Sequence, residues 1–525
     1  MKRFSLLAQI LLVVFAVFTA MNAAAAGGTQ PQAATGPREL TISRIDMGAA
    51  VLPVSYNDGL PVWKEVERRL NLKINWEVLP AAQQQYNTSA QARLASGQNL
   101  PDLMQLPTNN VTDVIKYADQ GLIIKLNNLI NSNAPDIVKM LKENPEVAAG
   151  ITDPDGNIYF VTNYLLDSPN GMGMIIRKDL LDKMGLKVPI TIDDWYKTLT
   201  AFKTTNFITP TSDIIPLGGN PRFMLSGFGI PVQQSDSIYF NIDANDKIYF
   251  NVMRDEFRDY LVFMNKLNNE RLIDPMYGTP TTNIGTLQSK GLVPAFPANP
   301  GGCDTFADQI RATVGGDPLF VWEFTPVGPD GKSRWAPLSK ARSTQFMGIT
   351  KDCKNPALAI EFLNYIWANK DGVRLNLCGI EGTHYNIVNG KIQFTDDMIK
   401  HPQYNIIARL RQVGAFDFLD IQTGEFNIAR GVGQYKVGLE YIEANPGKHV
   451  FAIPSFIPTS SEQSVVNDLW PDLRTYIDEM TIKFIKGTEP LSNFNAFRNK
   501  VRDMGIDKLS AEYQKMYDRY KKVSR

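Results

Sequence analysis

The chain has 525 residues, with 54 Lys and Arg against 54 Asp and Glu, and 44% of its residues are hydrophobic. That apolar fraction supports a sizeable buried core, and the length is enough for two or three domains at about 150 residues each. Balanced charge with no run of one sign excludes nucleic acid and polyanionic surfaces as expected partners.

The amino end reads as an export signal. Lys2 and Arg3 precede an apolar run from Leu6 to Phe18, followed by the small residues Ala23, Ala24, Ala25, Ala26 and Gly27. A basic start, a short apolar run and an Ala-x-Ala-like end describe a secretory signal peptide, with cleavage expected after Ala26. Removing residues 1–26 takes away Lys2 and Arg3, leaving 54 − 2 = 52 basic residues against 54 acidic ones. No later stretch approaches the roughly 18 apolar residues that span a membrane. Lipid anchoring would need a cysteine at the end of the apolar run, and the first cysteine is Cys303. The expectation is a free periplasmic protein, with residues 27–37 a disordered tether. Cys303, Cys353 and Cys378 are expected as buried thiols, a disulfide being the alternative.

Order is expected to begin with an alternating strand over residues 40–45. A helix follows over residues 62–70, with Trp63, Val66 and Leu70 at helical spacing. Next come a strand over residues 73–79, a helix carrying Ala90, Ala92 and Leu94 and stopped at Gly97, and a short apolar strand over residues 103–106. Strands alternating with helices imply βαβ units and a largely parallel sheet. Asp153, Pro154, Asp155 and Gly156 form a turn between strands. Thr191 caps a helix, with Asp194 reaching back as the acid of a capping box. A strand is expected over residues 291–296, and further helices over residues 255–268, 356–369, 472–485 and 511–521.

A search for reactive constellations finds none. The three histidines, His384, His401 and His449, lack zinc-binding spacing, and Gly-x-Ser-x-Gly, Gly-x-x-x-x-Gly-Lys, Gly-x-Gly-x-x-Gly and Cys-x-x-Cys are absent. No catalytic residue, cofactor or metal is expected. A glycosidase needs only two carboxylates at a set separation, which a sequence does not reveal, so a secreted carbohydrate-active enzyme stays open as an alternative.

Several segments go further. Residues 174–189, from Met174-Ile175-Ile176-Arg177-Lys178-Asp179 to Val188-Pro189, and Gly379-Ile380-Glu381-Gly382-Thr383-His384-Tyr385 with Asn389-Gly390-Lys391, carry a resemblance. So do Pro101-Asp102-Leu103-Met104, residues 155–160, Leu272-Ile273-Asp274-Pro275, Lys354-Asn355-Pro356 and the end from Leu473 to Tyr520. Together, in order over residues 40–521, they resemble family 1 extracellular solute-binding proteins. The likeness is to the large oligosaccharide-binding branch that includes LplA-type lipoproteins and periplasmic alginate-binding proteins. The resemblance implies a two-lobed α/β fold (type II periplasmic-binding-protein fold), each lobe a mostly parallel sheet flanked by helices. It implies a saccharide ligand in the cleft and permease subunits of an ABC importer as partners, the protein acting as a monomer. Lobe 1 is expected from residues 38–163 and 346–405, and lobe 2 from residues 164–345 and 406–525. The three crossovers are placed near Tyr164, near Gln345 and within residues 400–420. In the alginate-binding relatives an Asp/Asn-rich calcium loop follows the equivalent of Ala201-Phe202-Lys203. Here only Asp213 and Asn206 remain as oxygen side chains over residues 204–213, too few for calcium.

Sugar recognition needs flat aromatic faces and hydroxyl-bonding polar groups on loops at strand ends. The candidates by position are Tyr56, Asn57 and Asp58 after the first strand, Gln105 and Asn109 around the strand over residues 103–106, and Phe296 and Asn299 at residues 296–299. Gln345 stands at a crossover and Arg222 in a second-lobe loop. Tyr385 belongs to the family motif, and Phe416, Phe418 and Asp420 fall in an irregular stretch. Trp63, Trp195 and Trp367 lie on helix faces and are expected in the core. A neutral saccharide is favoured, since no basic cluster is evident. A sugar-sensing subunit of a membrane receptor is the second alternative.

Overall fold

The computed structural model describes residues 38–524, except 47–53, 81–82, 167–170, 206, 208–213, 233–238, 280–283, 324–325, 336–340, 402, 420, 432, 445–453 and 455. The expected signal peptide and tether therefore lie outside the described residues.

Strand β1 (Glu39–Asp46) is buried on both faces over its last residues, so its alternation fades into a continuous interior run. Helix α1 (Pro61–Leu70) starts on Pro61, whose fixed φ suits a first turn, and ends at Asn71 in the left-handed region with φ 47°. Strand β2 (Lys73–Pro80), helix α2 (Gln83–Ser96), strand β3 (Leu103–Gln105) and helix α3 (Val111–Asp119) complete the opening βαβ grammar. Asp153 Oδ1 accepts the N–H groups of Asp155 and Asn157, closing the expected turn between the bridged residues Thr152 and Ile158.

Six strands form the first sheet in the order β13-β4-β10-β3-β1-β2. Here β4 is Phe160–Leu166, β10 is Ala341–Ile349 and β13 is Gln422–Thr423. β1 is parallel to β2 and β3, whereas β10 is antiparallel to both β3 and β4. β4 therefore runs with β1 and β3, and all three present their carboxyl ends at one edge. That edge is where open α/β sheets bind ligands.

The second lobe departs from the expected mostly parallel sheet. β5 (Gly173–Arg177) lies between β8 (Ala295–Ala298) and β9 (Phe320–Glu323) and is antiparallel to both. β8 and β9, joined by helix α6 (Gly302–Val314), run the same way. β5 enters between them in the opposite sense. Isolated parallel bridges from Leu217 to Ile273 and Ala295 extend this sheet. The expected strand over residues 291–296 begins only at Ala295. Two hairpins, β6 (Phe240–Ile242) with β7 (Ile248–Phe250) and β11 (Tyr385–Val388) with β12 (Lys391–Phe394), stand apart.

Two large clusters of buried side chains correspond to two lobes, and a smaller one packs under β8 and β9. Residues from Ile406 to Phe426 belong to the first cluster, whereas they were expected in the second lobe. Helix α7 (Lys370–Cys378) also lies there, as do α8 (Ile406–Gln412) and α9 (Gly424–Arg430). α9 packs on β12 and β13, but the next helix, α10 (Gly433–Ala444), packs on α6 and β9. The buried apolar residues of the stretch 406–419, where the third crossover was expected, thus lie in the first core, while α9 and α10 pack on different elements.

The carboxyl-terminal helices belong to the second core. α11 (Ser460–Lys486) begins well before the expected residue 472, because Thr459 and Glu462 form a capping box ahead of Pro471. α12 (Ile506–Ser524) lies beside it, and Arg519 Nη2 holds Glu462 Oε2 at 2.6 Å. The capping box of Thr191 and Asp194 is present as expected. The helix expected over residues 356–369 is interrupted: after Leu363 it widens to a π-turn over Asn364–Ala368. All three cysteines are free, with Cys303 and Cys378 buried and Cys353 half-buried.

Candidate functional site

At the carboxyl edge of the first sheet, β1 ends in an ionic cluster. Arg44 and Asp46 share a strand face, and both are nearly fully buried. Arg44 Nη2 donates to Asp417 Oδ2 at 3.0 Å and to the Asp417 carbonyl at 3.1 Å, while its Nε donates to the Ile45 carbonyl at 3.0 Å. Tyr56 donates its hydroxyl to Asp417 Oδ2 at 2.7 Å, and Ser55 donates to Asp46 Oδ2. Arg411 Nε lies 4.0 Å from Asp417 Oδ1. Among the described residues, the two cations Arg44 and Arg411 balance the two anions Asp46 and Asp417. Burial, opposed by the charge of Arg44 and reinforced by Asp417, holds the Tyr56 phenol well above its ordinary range, so it stays a donor. Among the described residues, Arg44 Nη1, Asp46 Oδ1 and Arg411 Nε have no hydrogen-bond partner.

An aromatic group backs this cluster. The Arg44 guanidinium sits 4.6 Å from the Tyr56 ring centroid and 5.2 Å from that of Phe418. Trp63 touches Tyr56, Trp76 and Phe418 at centroid distances of 5.7, 5.0 and 5.3 Å. The segment that presents Asp417 is strained. Phe416 and Leu419 have φ of 53° and 61°, a left-handed conformation that costs roughly 1–2 kcal/mol for a residue with a side chain. Asn376 holds it, its carbonyl accepting Phe416 N–H at 2.6 Å and its amide donating to the Phe418 carbonyl at 3.0 Å. Strain that neighbouring contacts enforce is a feature of functional sites.

A second cluster lies where α9 meets α10. Arg430, at the end of α9, lies 5.5, 5.3 and 4.5 Å from the ring centroids of Phe416, Phe426 and Tyr435. Its Nε donates to Asn427 Oδ1 at 3.0 Å. Asp304 of α6 accepts the N–H groups of Gln434 and Tyr435, fixing the start of α10. Phe416 and Phe426 belong to the first core, and α10, which carries Tyr435, packs on the second lobe. The guanidinium is therefore shared between lobes.

The positions expected to meet a ligand are distributed unevenly. Tyr56, Phe416 and Phe418 come together around Arg44 and Arg430, all with buried rings. Asn57 and Asp58 are exposed on the same turn, where Asp58 completes a capping box with Ser55. Gln105 is buried at the same edge; its Oε1 accepts Ile45 N–H at 3.4 Å and its carbonyl accepts the Tyr86 hydroxyl at 2.6 Å. Asn109 is exposed just before α3. Gln345 pairs its backbone with Thr162 and Asn163 on β4.

The remaining candidates sit elsewhere. Phe296 is 1% exposed, with Phe306 and Phe320 edge-on to it, so protein covers its ring. Asn299 Oδ1 accepts Gly302 N–H at the start of α6. Arg222 is turned into the second lobe, paired with Asp478 and Tyr239. Tyr385 is buried against Phe394 in the hairpin. Asp420 and most of residues 204–213 lie outside the described residues. Trp63, Trp195 and Trp367 are at most 2% exposed, as expected of core residues.

Sequence reasoning missed Arg44, Asp46, Asp417, Arg411 and Arg430. A signal for the first two was present: a strand otherwise buried carries two charges at its carboxyl end. Among the described residues no group of three His, Cys, Asp or Glu side chains is placed to hold a metal ion, and no helix is long and apolar enough to cross a membrane.

Residues 60–235 match the family model of bacterial extracellular solute-binding proteins. The chain is 25% identical to the fructooligosaccharide ABC transporter substrate-binding protein FusA of Streptococcus pneumoniae, over 99% of this chain and 98% of that one. It is 24% identical to the polygalacturonan/rhamnogalacturonan-binding protein YtcQ of Bacillus subtilis, over 87% of this chain and 88% of that one. Among solved structures, the alginate-binding protein AlgQ2 superposes with a TM-score of 0.69 at 24% identity, covering 92% of this chain and 98% of that one. The family model over residues 60–235, the motifs in order and the likeness in fold agree: this chain is similar to the bacterial extracellular solute-binding proteins.

Proposed function

We propose that this protein is the extracytoplasmic binding subunit of an ABC importer, taking an oligosaccharide between its lobes and presenting it to the permease. The observation that carries this reading is the convergence of the carboxyl ends of β1, β3 and β4 on one edge, where Arg44, Asp46 and Asp417 are gathered. The chain-length likeness to two saccharide-binding relatives supports it. Charge balance among Arg44, Arg411, Asp46 and Asp417 favours a neutral saccharide. The role is binding without turnover, in the periplasm, by a monomer released from its signal peptide.

A thermal-shift screen against neutral and uronic oligosaccharides tests this reading. A ligand at 100 times its Kd adds about 2.7 kcal/mol of stability, a clear rise in Tm. A flat response to every saccharide, or cleavage of any of them, would sink it.

A further inference from the structure

Arg430 ends α9, and its side chain meets residues that precede and follow it in the chain. Phe416 and Phe426 approach the guanidinium from the first core, and Tyr435 approaches it from α10. A planar guanidinium can lie against rings while its N–H groups bond in its own plane. Here Nε donates to Asn427 Oδ1 at 3.0 Å and Nη2 donates to the Tyr435 hydroxyl. That hydroxyl donates in turn to Asn427 Oδ1 at 3.5 Å, which closes a ring of three side chains.

One end of this network is fixed beside the sheet of β5, β8 and β9. Asp304 of α6 accepts the N–H groups of Gln434 at 2.9 Å and Tyr435 at 2.8 Å. A Cβ at Gly433 would fall 2.6 Å from Asp304 Oδ1, so glycine is what lets the carboxylate reach the start of α10. The other end lies at the carboxyl edge of the first sheet. Asn427 is 0% exposed and donates to Gln422 Oε1 at 3.5 Å, and Gln422 pairs with Leu165 near the end of β4. Phe416 meets Phe426 at 4.8 Å between ring centroids and immediately precedes Asp417, the partner of Arg44. With φ of 53°, Phe416 keeps its backbone only where surrounding contacts enforce it.

We propose that Arg430 is a positioning residue that couples the placement of α10 to the Phe416–Asp417 segment. A shift of α10 then changes how Asp417 is presented to Arg44. That this segment meets a saccharide rests on the binding reading above; the coupling itself does not require it. Hydrogen exchange of the purified protein, read by mass spectrometry, tests the coupling, because slow exchange measures local opening. The Phe416 amide, bonded to the Asn376 carbonyl, reports on the segment. Tyr435→Phe removes the hydroxyl from the α10 side, and Arg430→Gln removes the cation. Each is expected to speed exchange over residues 415–419 about fivefold, the scale of one lost hydrogen bond. The double variant should be no faster than Arg430→Gln, and exchange over β1 and β2 should be unchanged. Faster exchange confined to residues 427–437, a rise across the whole chain, no change, or multiplied effects in the double variant would overturn the proposal. The saccharide screen on the unaltered protein is read separately: a flat screen beside the expected exchange pattern would sink the binding reading and leave the coupling standing.

Discussion

Arg44 and Asp417 are 373 positions apart in the chain, yet Arg44 Nη2 and Asp417 Oδ2 meet at 3.0 Å with both side chains at most 5% exposed. The pair joins the first strand of the chain to the strained segment that leads into β13. Removing one member leaves the other charged, buried and unpaired, a loss of about 3–5 kcal/mol in comparable cases. Arg44→Met is therefore expected to destabilise by that amount in urea unfolding. Pairing it with Asp417→Leu is expected to recover more than half. Additive losses in the double variant would show that the pair is not coupled.

His384 gives the fold a pH dependence. Its Nδ1 accepts Ile380 N–H at 2.9 Å, so this nitrogen must be unprotonated. Burial, and then the nearby Arg409, holds the imidazole below its ordinary 6.5. A folded-state value below the unfolded one means that the unfolded chain binds the proton more readily. The contribution is thus complete above pH 6.5 and is lost as pH falls through the folded value. Urea midpoints should decline below pH 6.5, and His384→Gln should flatten that part of the profile. An unchanged slope in the variant would refute the assignment.

Gly372 sits where the π-turn over Asn364–Ala368 meets α7. A Cβ built there falls 1.9 Å from the Tyr365 carbonyl oxygen, with no room among backbone atoms to yield. Overpacking typically costs 1–3 kcal/mol, and more where backbone must move. Gly372→Ala is expected to lose at least about 2 kcal/mol in chemical denaturation. A loss under 0.5 kcal/mol would mean that the turn relaxes freely.

Thr112 near the start of α3 and Gln463 near the start of α11 are bonded at 2.8 Å, joining a helix of the first lobe to the terminal helices. A neutral hydrogen bond contributes about 1 kcal/mol, enough to change a two-state lobe equilibrium about fivefold. Thr112→Val should raise the radius of gyration of the ligand-free protein in small-angle scattering while leaving Tm within about 2 °C. An identical scattering profile would mean that this contact does not bias the lobes.

The opening βαβ units, the capping box of Thr191 and Asp194 and the core tryptophans were legible in the sequence, because they depend on periodicity and on residues three or four apart. The likeness to the solute-binding family was legible too, from motifs in order. Two things were decided by tertiary structure alone. Phe416 and Phe418 could be placed near the third passage, but their lobe depended on which core the apolar faces of α8 and α9 reach. Arg222 and Phe296 stood at plausible strand or loop ends, yet one turns to Asp478 and the other is enclosed by Phe306 and Phe320. The chain by itself determined what each segment forms; only the packing of segments hundreds of residues apart brought Arg44 to Asp417. A charge pair of that separation has no local signature, since neither residue constrains its own neighbours' φ and ψ.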